Sequence, residues 1–150
     1  FSLYGERVGA FSLVAGSSDE AARALSHVKR IVRTNYSNPP THGGDIVARV
    51  LTTPELRALW EQELGTMRDR IKSMRKALVA GIHKRVPGTD FSFILQQRGM
   101  FSYSGLTKEQ VLRLRSENSI YTIETGRICV AALTTKNIDY VADAIARVLK

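Results

Sequence analysis

Apolar residues follow two rhythms along this chain. The first is a short, nearly unbroken run, Val8-Gly9-Ala10-Phe11-Ser12-Leu13-Val14-Ala15, which predicts a buried strand. Behind it, Gly16-Ser17-Ser18-Asp19-Glu20 reads as a turn whose Ser and Asp side chains suit a helix N-cap. The second rhythm is helical. Ala22, Leu25, Val28 and Val32 recur at three- and four-residue steps and predict a helix from about Asp19 to Arg33. Asn35-Tyr36-Ser37-Asn38-Pro39-Pro40 ends it, since paired prolines cannot continue a helix and the first biases Asn38 to extended backbone.

Thr41-His42-Gly43-Gly44 leads into a short helix through Leu51, and Thr53-Pro54-Glu55 starts another with proline in its first turn. Leu56, Leu59, Trp60, Leu64, Met67, Ile71, Met74 and Leu78 keep the helical step, so this helix is predicted to run to about Lys84. Such a helix reaches about 45 Å, a length suited to joining two subdomains. Pro87-Gly88 closes it. Shorter pieces follow: strands at Phe91–Leu95 and Gly99–Ser104, then a helix from Thr107 to Asn118 with a Thr107/Gln110 capping box. Strands at Ser119–Thr122 and Arg127–Ala131 precede a terminal amphipathic helix from Thr135 to Leu149. Strands and helices alternate throughout, which sets the class as α/β or α+β.

Composition narrows the function classes. The chain is 43% hydrophobic and 24% charged, as in soluble globular domains, and no run approaches the roughly 20 apolar residues of a membrane span. The first residues lack the layout of a signal peptide. Cys129 is the single cysteine, expected to be buried and inert between Ile128 and Val130, and a reducing cytoplasmic compartment fits. The net charge of +8 suits anionic small molecules or a non-catalytic nucleic-acid-binding module. A solvated basic surface accounts for it better, because Arg57, Arg68, Arg70, Lys72, Arg75 and Lys76 are spread along helical sequence among acidic residues. His27, His42 and His83 are scattered, so no metal site is expected, and no phosphate-binding Gly-rich loop or nucleophile elbow is present.

Three arginine-bearing segments hold the remaining signal: Phe1-Ser2-Leu3-Tyr4-Gly5-Glu6-Arg7-Val8-Gly9, Arg33-Thr34-Asn35-Tyr36-Ser37-Asn38-Pro39-Pro40-Thr41-His42-Gly43, and Tyr121-Thr122-Ile123-Glu124-Thr125-Gly126-Arg127-Ile128-Cys129-Val130-Ala131. Taken singly, Arg7 is a surface arginine after a turn, and Arg33 is a cation favoured by a helix C-terminus. Arg127 is a charge between apolar strand residues that needs a carboxylate partner. Taken in order, and with Gly99-Met100-Phe101-Ser102-Tyr103-Ser104-Gly105-Leu106-Thr107 between the second and third, they resemble the class I aminotransferases of the aspartate/aromatic type.

The resemblance implies an α/β chain that forms the C-terminal portion of the fold type I pyridoxal-phosphate-dependent aminotransferase fold. Residues 1–66 would end the large cofactor domain and begin the interdomain helix, and residues 67–150 would form the small domain. It implies transfer of an amino group between aspartate or an aromatic amino acid and 2-oxoglutarate, in a homodimer with shared active sites and with neither nucleic acid nor membrane as partner. In the family pattern Ser-x-Ser-Lys-x-x-x-x-Tyr-x-x-Arg-x-Gly, the Schiff-base lysine falls two residues before Phe1, so the 150 residues alone are expected to be inactive. Arg7, Tyr4 and Ser37 would contact pyridoxal phosphate, Arg7 through its phosphate, with Gly9 allowing close backbone packing. Arg127 would hold the substrate α-carboxylate, Arg33 the distal carboxylate across the dimer, and Asn38 and Phe101 would line the substrate site. Thr125 stands where the family often has serine.

Overall fold

Among the described residues, Phe1 and 3–150, six α-helices and one strand pair form a chain that divides into two units, Phe1–Gln62 and Glu63–Lys150, in this computed structural model. Ser2 of the first arginine segment lies outside the described residues.

In the first unit a 3-10 turn, Tyr4–Glu6, precedes α1 (Ser18–Asn35). Ser17 Oγ accepts from Glu20 N at 3.2 Å and Glu20 Oε2 accepts from Gly16 N at 3.0 Å, so this helix start is closed from both sides. At its end Tyr36 N and Ser37 N both donate to Val32 O at 3.1 Å. α2 (His42–Thr52) and the start of α3 (Pro54–Arg85) complete the unit. The first residues lie against these helices: the Phe1 ring stacks on Trp60 at 4.7 Å, and His42 Nδ1 meets Glu6 Oε2 at 3.0 Å. Gly43 is buried there because a Cβ would lie 2.6 Å from Val8 Cγ2.

The strand expected at Val8–Ala15 is not formed. Val8, Phe11, Leu13 and Val14 are exposed in irregular backbone, Val14 at 96%. An apolar run signals a demand for burial, but a strand also needs a neighbour to complete its hydrogen bonds, and the first unit holds none among the described residues.

The second unit contains the core. α3 contributes Met74, Leu78 and Ile82 at four-residue steps, α5 (Lys108–Asn118) contributes Val111 and Leu114, and α6 (Ile138–Val148) contributes Ile138, Ala142, Ile145 and Val148. The short α4 (Phe93–Gln96), Phe91 and Leu106 close it. β1 (Phe101–Tyr103) pairs antiparallel with β2 (Arg127–Cys129), in the register Phe101↔Cys129, Ser102↔Ile128, Tyr103↔Arg127. The capping box of α5 forms as predicted, with Thr107 Oγ1 accepting from Gln110 N and Gln110 Oε1 from Thr107 N.

Three expectations in this unit are corrected. Phe91–Leu95 is not a strand, because Asp90 Oδ1 accepts from Ser92 N at 2.7 Å and this turn leads straight into α4. Ser119–Thr122 is not a strand either. Ser119 takes left-handed backbone (φ 51°) and Ile120 N donates to Leu114 O at 3.1 Å, so these residues close α5 instead. Cys129 is half-buried rather than buried, because strand alternation puts it on the open sheet face with Arg127.

Candidate functional site: two arginine-lined depressions

The sequence places Arg127 on β2 immediately after a turn that only glycine can make. Gly126 has φ +80°, and a Cβ there would lie 2.8 Å from the Leu106 carbonyl oxygen. The buried Ser104 fixes this turn twice, its N and Oγ both donating to Gly126 O at 2.9 and 2.7 Å. Thr122 Oγ1 donates to Arg127 O, and Lys108 Nζ reaches Glu124 Oε2 at 2.8 Å just upstream. Hydrogen bonding to Lys108, and then its charge, hold the Glu124 carboxyl below the usual glutamate range. The same contact raises Lys108.

From this anchored backbone the Arg127 guanidinium lies over the Phe101 ring, 4.9 Å from its centroid. Phe101 is 44% exposed, so the structure places it at a wall and not in the core. Arg127 and Phe101 line a depression of about 320 Å³ together with Gln97, Arg98, Ser102, Tyr103 and Thr125. Among the described residues no carboxylate pairs with Arg127, although Arg57, Arg68, Arg113 and Arg147 each have one and Arg85 has two.

Two further groups support this depression: Arg75, expected on a solvated basic surface but buried, and Gln97, which the sequence did not single out. Arg75 of α3 is 5% exposed. Its Nε donates to Ser102 Oγ at 3.2 Å, and its Nη2 to Gly99 O at 2.6 Å and Phe101 O at 3.0 Å. Burial first, and then the Arg98 charge, lower the Arg75 guanidinium below the ordinary arginine range. Gln97 pairs its side-chain amide with one residue of β1, Oε1 accepting from Tyr103 N at 2.7 Å and Nε2 donating to Tyr103 O at 3.0 Å. Arg75 sits three residues before Leu78 and four after Ile71, inside the apolar stripe of its helix, a spacing that marks its burial but not its partners.

In the first unit Tyr4 and Arg7 line a second depression, about 370 Å³, with Leu3, Val8 and Gly9. The Arg7 guanidinium lies 4.9 Å from the Tyr4 ring centroid, and no carboxylate pairs with it among the described residues. Among the described residues nothing lies within 4 Å of a Cβ built at Gly9. Arg33 sits in the last turn of α1 and donates from Nη1 to Ser37 Oγ at 3.1 Å. Ser37 is held in left-handed backbone at φ 70°, and Asn38 N donates to Tyr36 O at 2.9 Å. The structure thus brings Tyr4 together with Arg7, Arg33 with Ser37, and Phe101 with Arg127.

Chemically, each depression offers a guanidinium fork without an internal counterion, suited to the paired oxygens of a small carboxylate or phosphate. Arg7 fits a phosphate-bearing cofactor on this ground, because its donors are not spent on an internal carboxylate.

A helix-rich α/β protein with two arginine-lined depressions is the class that these features define. The chain belongs to the aminotransferase class I and II family, whose model matches residues 1–145. It is 62% identical over 149 residues to the aspartate aminotransferase of Pseudomonas aeruginosa, covering 99% of this chain and 37% of that protein. To the aromatic-amino-acid aminotransferase of Escherichia coli it is 48% identical, covering 99% and 38%. The solved aromatic-amino-acid aminotransferase of Burkholderia pseudomallei, covalently bound to pyridoxal phosphate, superposes with a TM-score of 0.86 at 67% identity, over 99% of this chain and 37% of that one. Over the span it covers, the chain has the fold type I aminotransferase fold, and it spans less than two-fifths of the length of these relatives.

Proposed function

We propose that the protein is a pyridoxal-phosphate-dependent aminotransferase that moves an amino group between aspartate or an aromatic amino acid and 2-oxoglutarate. The observation that carries this reading is Arg127: its guanidinium lies over Phe101 in an open depression, on a backbone fixed from several sides, and has no carboxylate of its own. A cation held so firmly and left unpaired is prepared for an anion from outside the chain.

In this reading Arg127 binds the α-carboxylate of the amino acid and Phe101 forms the wall beside it. Arg7 binds the cofactor phosphate, with Tyr4 and Ser37 as further cofactor contacts. Arg33 takes the distal carboxylate of a dicarboxylic substrate in the active site of a second subunit, with Asn38 beside it, so the working form is a homodimer in the cytoplasm. Pyridoxal phosphate supplies the electron sink that lets an amino acid lose its Cα proton. The residues of this chain bind and orient. Two-point binding of a dicarboxylic substrate by Arg127 and by Arg33 of the partner subunit fixes the Cα–H direction, which is how positioning lowers the barrier. The 150 residues contain no match to the family's lysine, so alone they are expected not to transaminate.

Steady-state rates with aspartate and phenylalanine as donors test the activity, and failure of both would sink it. Arg127→Ala in the active protein is expected to lower kcat/KM for the donor by several kcal/mol of transition-state binding. An unchanged value would remove Arg127 from its assigned role.

A further inference from the structure

A charged residue buried on the core face of a helix calls for an account, because an apolar side chain of similar volume usually serves stability as well or better. Arg75 shares that face with Met74 and Leu78, yet all three of its side-chain hydrogen bonds go to the segment that builds the Arg127 depression. Its three hydrogen bonds end on Gly99 O, Phe101 O and Ser102 Oγ, so they fix residues on both sides of the Phe101 Cα as well as Phe101 itself. Ser102 lines the depression directly. Through the register Phe101↔Cys129 and Tyr103↔Arg127, β1 also sets the position of β2, on which Arg127 stands.

We propose that Arg75 is a positioning residue for the carboxylate site: by gripping the Gly99 and Phe101 carbonyls and the Ser102 hydroxyl, it holds the Phe101 ring where it aims the Arg127 guanidinium. This rests on the reading of Arg127 as the α-carboxylate ligand. Arg75 acts from behind the wall and does not itself touch substrate. A planar fork suits this task, since one edge of the guanidinium, Nε and Nη2, meets all three acceptors. The nearby Arg98 charge adds to the lowering of Arg75, so the region gains when an anion arrives.

The test uses the cofactor-loaded active protein and maleate, a dicarboxylate that cannot react. Maleate binding is followed through cofactor absorbance in Arg75→Met, Arg75→Lys, Arg127→Lys and the Arg75→Met/Arg127→Lys double variant. Arg75→Met is expected to weaken maleate binding about tenfold, the scale seen when a residue that orients a ligand-binding group is lost. Cofactor content should stay unchanged, KM for the amino donor should rise more than kcat falls, and Arg75→Lys should recover part of the loss. The double variant should lose less than the product of the two single losses, because both act on one site. A lower Tm with wild-type maleate affinity would make Arg75 merely structural and overturn the proposal, as would full additivity in the double variant. Should Arg75→Met fail to fold, Ser102→Ala decides: it removes the acceptor of Nε from a side chain that is itself buried, and about a threefold loss is expected. Wild-type affinity in Ser102→Ala would then overturn the proposal. Wild-type affinity in Arg127→Lys would instead bring down the reading of the site itself.

Discussion

At the scale of the residue, the turn before Arg127 depends on one missing methyl group. Gly126 combines φ +80° with an approach of 2.8 Å between a built Cβ and the Leu106 carbonyl oxygen, and a backbone atom cannot swing aside. Gly126→Ala is therefore expected to cost about 2 kcal/mol or more. Urea unfolding would measure it, and a midpoint within error of the parent would show that the turn relaxes cheaply. Arg7, Arg33 and Arg127 were legible in the sequence because each sits in a recognisable short segment. Arg75 and Gln97 were not, for a physical reason. They act through backbone carbonyls and amides, which have no side-chain signature, so their partners become visible only once the strand is placed beside them.

At the scale of the element, the helices were read well and the strands poorly. A helix satisfies its own backbone, so spacing and caps such as Thr107/Gln110 suffice to locate it. A strand depends on a partner elsewhere in the chain, and the apolar run Val8–Ala15 has none in its unit among the described residues. Sheet β1–β2 and the turn that feeds it meet α5 through the Lys108–Glu124 pair, which has a definite pH range. The Glu124 pKa is depressed, chiefly by hydrogen bonding to Lys108, so its contribution is present above the unfolded-state pKa and lost as pH falls through the folded one. The Lys108 pKa is raised, so its contribution holds below the unfolded-state value and is lost as pH rises through the folded one. The pair therefore acts from the acid side of the glutamate range to the alkaline side of the lysine range. Lys108→Ala is expected to move the Glu124 titration upward. An NMR titration checks this, and an unmoved curve would mean that the contact does not persist in solution.

At the scale of the whole molecule, stability is unevenly placed. Every buried apolar side chain of the core, from Met74 to Val148, lies in the second unit, while the first exposes Phe11, Val14, Leu25, Ile31 and Leu59. Exposed apolar surface on this scale marks places that other surfaces cover. The 150 residues in isolation are expected to bind a hydrophobic dye and to self-associate, with amide protons in α5 and α6 exchanging more slowly than those in α1. A dye-silent monomer with uniform protection would contradict this. The Gln97 side chain bears on the same problem of unwanted association. A two-stranded sheet has outward-facing peptide groups that can recruit a third strand from another molecule. At Tyr103 the Gln97 carboxamide occupies both, mimicking the peptide of an absent neighbour, and Arg75 takes the Phe101 carbonyl on β1. The ladder is thereby terminated by side chains rather than by more backbone. Gln97→Ala is expected to reopen it and to hasten thioflavin-positive fibre growth at fixed concentration, whereas unchanged growth would mean that the ladder ends by other means. A glutamine lining the Arg127 depression would then also serve as a stop signal against strand exchange between copies.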